Sequence, residues 1–172
     1  MLAIALVGVL LCPSQAPKPA RQDDVKSSQQ SSSKSLETWT DKQTKVKLKD
    51  FQKALKRKKA SILVRKNALD GLVGGKNALM IKPLRKFIEK DSSIVLKKQA
   101  IEILADQPKA RLRSTVMALL KNARVTGNPQ VHAGLIRALS NTCYEASDWK
   151  QIADVLESDY DNERIPVHEA IL

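Results

Sequence analysis

A chain of 172 residues with an apolar fraction of 42% is long enough for one modest packed domain and no more. Aromatic residues make up only 3%, so the core must come from Leu, Ile, Val and Ala, while two histidines and two cysteines leave little material for a metal centre or a nucleophilic triad. The net charge of +12 is uneven: residues 34–66 carry twelve Lys or Arg against three Asp or Glu, whereas residues 141–172 carry two against eight.

Leu2 to Leu11 is an unbroken apolar run of ten residues, too short to cross a bilayer as a helix and of the length of a signal-peptide core. Only the terminal amine supplies positive charge ahead of it. Ser14-Gln15-Ala16 puts small residues at the two positions a signal peptidase reads, with Pro17 directly after. The expectation is a signal peptide over residues 1–16 and a secreted or periplasmic protein. The alternatives are an N-terminal membrane anchor, uncleaved or lipid-linked at Cys12, and a misassigned start. No transmembrane span is expected. Residues 17–44, which include Ser27-Ser28-Gln29-Gln30-Ser31-Ser32-Ser33, hold too little apolar surface to offset their ordering entropy and predict a disordered Ser/Gln/Lys-rich linker.

From residue 45 the pattern is helical throughout. Apolar triplets at i, i+3, i+4 recur at Phe51/Ala54/Leu55, Leu84/Phe87/Ile88, Val116/Leu119/Leu120 and Ile152/Val155/Leu156, each marking one buried stripe of an amphipathic helix. After each triplet comes a second frame. Ile62-x-Val64-Arg65-x2-Ala68-x3-Leu72 returns as Ile94-x-Leu96-Lys97-x2-Ala100-x3-Leu104 and as Pro129-x-Val131-His132-x2-Leu135-x3-Leu139, then restarts at Ile165-x-Val167-His168-x2-Ile171. The anchors Val64, Leu96, Val131 and Val167 are 32, 35 and 36 residues apart, within the range in which one supersecondary unit stacks on the next. Turn signals fall between the frames at Gly74-Gly75-Lys76-Asn77, Asp106-Gln107-Pro108, Thr126-Gly127-Asn128-Pro129 and Asp159 to Glu163. Asn77, Ser92 or Ser93, and Asn128 are candidate N-caps, and Pro129 suits the first helical position. Pro83 lies inside an apolar pattern, so its helix either starts near Lys82 or kinks there. No period-2 run argues for a sheet.

This pattern resembles the HEAT-repeat family over residues 45–172. The resemblance rests on the anchor, the basic residue after it, the small or aliphatic residue four on and the leucine eight on. It implies an all-α fold: a short right-handed α-α superhelix, or solenoid, of about three and a half helical hairpins. It also implies that the basic slot, here Arg65, Lys97, His132 and His168, belongs to a polar ladder tying neighbouring repeats together. An ordinary helical bundle is the competing architecture. The fourth frame reaches Leu172 without a second helix to cover Ala170-Ile171-Leu172, which suggests a piece of a longer array, or an end covered by a partner or a second copy.

Little is left over for chemistry. His132 and His168 occupy one slot in successive frames, so their recurrence follows from the repeat. Cys143 would be a lone thiol behaving as a small apolar group. Gly71-Leu72-Val73-Gly74-Gly75 sits between helices and reads as a helix stop, not a phosphate loop. Asp159-x-Asp161-x-Glu163 lacks the glycine and the closing bidentate acid of a calcium loop. No catalytic, cofactor or metal site is therefore expected.

Two functional classes remain. One is a non-catalytic scaffold for protein–protein interaction, its partner unspecified. The other is binding of nucleic acid or another polyanion through Lys53, Lys56, Arg57, Lys58, Lys59, Arg65 and Lys66, on grounds of charge alone. An enzyme is a distant third, because Tyr144 and Trp149 lie in the acidic end and not beside the basic one.

Overall fold

The computed structural model describes residues 36–56, 60–142, 152–157 and 165–171. They are mostly helical: α1 (Asp41–Lys56), α2 (Ile62–Asp70), a 3₁₀ turn (Ala78–Met80), α3 (Ile81–Lys90), α4 (Ile94–Ala105), α5 (Lys109–Leu120), the short α6 (Ala123–Thr126), α7 (Pro129–Ser140), a helix over 152–157 that we label α8, and α9 (Ile165–Ile171). Two strands of two residues each, β1 (Glu37–Thr38) and β2 (Gly75–Lys76), pair in parallel with Glu37 opposite Gly75 and Thr38 opposite Lys76. Among the described residues no helix is long and apolar enough to cross a membrane.

Helix boundaries follow local chemistry. Ser93 accepts from the Leu96 N–H at 3.4 Å, and Asn128 accepts from the Gln130 and Val131 amides at 3.0 and 3.2 Å with Pro129 next in line. Each cap satisfies first-turn donors that have no carbonyl of their own. Asn77 caps the 3₁₀ turn, accepting from the Leu79 N–H at 2.9 Å. That turn resolves the position of Pro83: α3 begins at Ile81, so the proline is its third residue and its missing N–H falls among the first-turn donors, without a break in the ladder.

The start of the helical array departs from expectation. Residues 36–44 fall in the expected linker, yet β1 precedes Trp39 and α1 begins at Asp41. The reason is a reciprocal capping box. The Thr40 N–H donates to Gln43 Oε1 at 2.9 Å while Thr40 Oγ1 accepts from the Gln43 N–H at 3.3 Å. Trp39 is then held across the Gly74-Gly75 turn. Gly74 has φ of 83°, where side chains are disfavoured, and a Cβ on Gly75 would lie 2.4 Å from the Trp39 ring. Lys47 places its ammonium 5.9 Å from the centre of that ring.

The triplet helices pack on the frame helices that follow them: α1 on α2, α3 on α4 and α5 on α7. The frame helices also pack in succession, α2 on α4, α4 on α7 and α7 on α9, and α3 packs on α5. The apolar core runs through all of these contacts, with Leu69, Leu84, Ile88, Leu104, Leu119 and Leu139 among its buried side chains. Two frame positions behave as a core should, the anchor from the second frame on. At the +8 slot Leu72, Leu104 and Leu139 are all buried, and the anchors Leu96, Val131 and Val167 are too. The position two before the anchor does not. Ile62, Ile94 and Ile165 are 59%, 41% and 70% exposed, because that slot sits at the helix start, ahead of the contact between successive frame helices.

Residues 1–16, where a signal peptide is expected, residues 17–35 of the expected linker, Cys143, Tyr144, Trp149, and Asp159 to Glu163 all lie outside the described residues.

Candidate functional site

Of the seven basic residues singled out from charge, the four that are described do not share one groove. Arg57, Lys58 and Lys59 lie outside the described residues. Lys66 is an exposed i, i+4 partner of Asp70 at 2.7 Å. Lys53 lies with Lys47 and Asp50 on one side of α1, facing Val64 and Asn67 of α2. Lys56 and Arg65 come together on another side, in a groove of about 520 Å³ between α1, α3 and the start of α2.

That groove is built by helical spacing. On α3, Pro83, Lys86, Phe87 and Lys90 stand at i, i+3, i+4 and i+7, which places them on one face. On α1, Gln52, Leu55 and Lys56 do the same. Behind both stripes Phe51 and Phe87 touch at 5.7 Å between ring centroids with a tilt of 51°. These rings are 2% and 5% exposed, so they brace the two helices without presenting a face to solvent. Leu55 and Pro83, half-buried, supply the apolar surface at the opening. Lys86 and Lys90 carry no signal in the sequence: the apolar triplet marks α3, and nothing in a single helix tells which of its lysines will face another.

Arg65 closes one end. Its Nη1 donates to Asp91 Oδ2, and Asp91 Oδ1 accepts from the Ser93 N–H at 2.8 Å. Asp91 is buried and, among the described residues, is the single carboxylate lining the groove. A second tie runs alongside: Gln99 on α4 donates to Asp70 Oδ1 at 2.6 Å. The basic slot of the first frame thus joins α2 to the α3–α4 turn. Lys97 has no ion pair among the described residues, and His132 is buried within α7.

At the end of α4, burial raises the pKa of Asp106 above its ordinary value, while the Lys76 ammonium pulls it back. Beside it, Gln107 is a buried polar hub. Its amide donates to Gly75 O at 3.0 Å and Ile103 O at 2.8 Å, and its oxygen accepts from the Asn77 N–H at 2.9 Å. Asn77 in turn donates to Trp39 O at 3.0 Å and Asp41 Oδ1 at 2.9 Å. Among the described residues no three His, Cys, Asp or Glu side chains gather as metal ligands would.

No family model, curated protein or solved structure matches the chain.

Proposed function

We propose that residues 45–172, extended upstream by β1 and the start of α1, form a HEAT-like right-handed α-α solenoid serving as a non-catalytic scaffold for a protein partner. The observation that carries this is the order of helix packing. The frame helices α2, α4 and α7 each rest on the triplet helix of their own pair and on the frame helix of the next pair, and the anchors Leu96, Val131 and Val167 and the +8 residues Leu72, Leu104 and Leu139 are buried along that order. A closed bundle would instead bring early and late helices together around one axis. Stacked pairs leave an extended surface, and a surface of this kind serves binding before it serves chemistry. Export through the Leu2–Leu11 run belongs to the same reading.

Affinity capture of the full chain from its native cells, crosslinked and treated with nuclease, tests the scaffold. One protein is expected in near-stoichiometric yield, from the exported fraction, and the mature chain is expected to begin near Pro17 by mass spectrometry. Recovery of nucleic acid alone, or of no partner in any fraction, overturns it.

A further inference from the structure

We propose that the groove between α1 and α3 is a docking site for an acidic peptide segment carrying one aromatic or large aliphatic side chain. This rests on the protein-binding reading above and names the chemistry of the partner. Charge complementarity carries it. Lys56, Lys86 and Lys90 stand exposed around the opening, and none has an ion pair among the described residues. The one carboxylate in the groove, Asp91, is already held by Arg65 and the Ser93 amide. The groove therefore keeps three ammonium groups in excess over an apolar strip of Leu55 and Pro83. A volume of about 520 Å³ lies within the usual range of roughly 300–1,000 Å³ for sites that enclose a compact ligand, enough for a large side chain and the backbone beside it.

The same geometry argues against nucleic acid. Sequence-tolerant binding of single strands relies on aromatic faces for the bases, and Phe51 and Phe87 are 2% and 5% exposed. Planar, two-pronged recognition of phosphate relies on arginine, and Arg65 spends its Nη1 on Asp91 while its Nε is buried away from solvent. What remains is point charges on flexible stems around an apolar notch. Carboxylates at irregular spacing flanking a hydrophobic anchor match that arrangement, with the anchor supplying most of the affinity and the charges its orientation and encounter rate.

The test is fluorescence anisotropy of a short fluorescein-labelled peptide in which aspartates and glutamates flank a single tryptophan, titrated with the full chain in dilute salt. Binding is expected in the micromolar range, weakened at least tenfold by the double substitution Lys86→Glu/Lys90→Glu. The charge-matched pair Lys98→Glu/Arg137→Glu, on α4 and α7, is expected to leave it within twofold, with circular dichroism showing both proteins folded. Replacing the peptide's tryptophan by serine should cost about fivefold or more. Equal loss in both double variants, or no loss on removing the tryptophan, overturns the proposal in favour of unspecific charge attraction. So does an oligonucleotide of equal charge that outcompetes the peptide, or self-association of the chain abolished by Lys86→Glu/Lys90→Glu, which would make a second copy the occupant. A captured partner whose binding ignores Lys86→Glu/Lys90→Glu defeats the groove and leaves the scaffold standing; peptide binding without any cellular partner does the reverse.

Discussion

The pair α1–α2 and the helix α7 are held in place by different forces. Within α7, Val131, His132, Ala133, Leu135, Ile136, Ala138 and Leu139 are all buried, because α4, α5, α6 and α9 all pack on it. In α2 only Leu69 is buried, the anchor Val64 is partly exposed, and Ile62 and Leu63 face solvent. Beside the buried Leu48, Phe51 and Leu69, the first pair is held by polar, long-range ties. Arg65 reaches Asp91, Gln99 reaches Asp70, and Asn77 and Gln107 fasten Trp39 and β2 to the end of α4. The lesson is that the same recurring frame can be stabilised by burial where helices surround it, and by hydrogen bonds and ion pairs where they do not.

The largest effect that could break this comparison is a cavity in α7. Leu135→Ala is expected to lower unfolding stability in urea by about 2–5 kcal/mol, whereas Val64→Ala in α2 should cost about 1 kcal/mol or less; equal losses would mean that α2 is as tightly packed as α7. Next comes the polar hub. Gln107→Ala strips three hydrogen bonds and leaves buried groups of the Gly74–Asn77 turn unpaired, for about 1–3 kcal/mol, and amide exchange should quicken in β1, β2 and the first turn of α1 before α7 responds. Gly75→Ala should act on the same strap sterically, since its Cβ would lie 2.4 Å from the Trp39 ring. We expect Trp39 to be displaced, read as a red shift of its emission in a Trp149→Phe background, with α7 unaffected. The smallest effect is expected from Asp106→Asn. The Asp106 carboxyl has a raised pKa in the folded state, through burial that outweighs Lys76. The folded protein therefore binds that proton more tightly than the unfolded chain does, and stability falls as pH rises through the raised pKa. Asparagine should remove that slight decline, leaving stability flatter from acid to neutral pH.

Much of the helical content was legible in advance. All four triplets and all four frames lie in or at the ends of helices, and the caps Ser93 and Asn128 act as their side chains suggest. Helical periodicity and capping are local, so a single sequence displays them. The recurring isoleucine two before the anchor was less informative than it looked. Repetition of a residue type marks a repeated position, but Ile62, Ile94 and Ile165 are exposed. The strap was invisible for another reason. β1 meets β2 across 38 residues of sequence, and strands of two residues have no periodicity to detect. The Thr40–Gln43 capping box was there to be found, being the T-x-x-Q signature just ahead of α1.

The candidate site divides in the same way. Charge alone pointed to Lys56 and Arg65, but their company was settled by packing. The Phe51–Phe87 contact sets α1 against α3, and with it Lys86 and Lys90 come to face Lys56 while Lys53 is carried to another side. By itself the sequence determined that the chain is helical, where most helices start, and which stripe of each is apolar, because those properties depend on neighbours three and four residues apart. Only the tertiary structure decided which cations share a groove, which carboxylate is spent inside it, and how Trp39 is fastened, because each depends on two helices or strands meeting at one particular distance and angle.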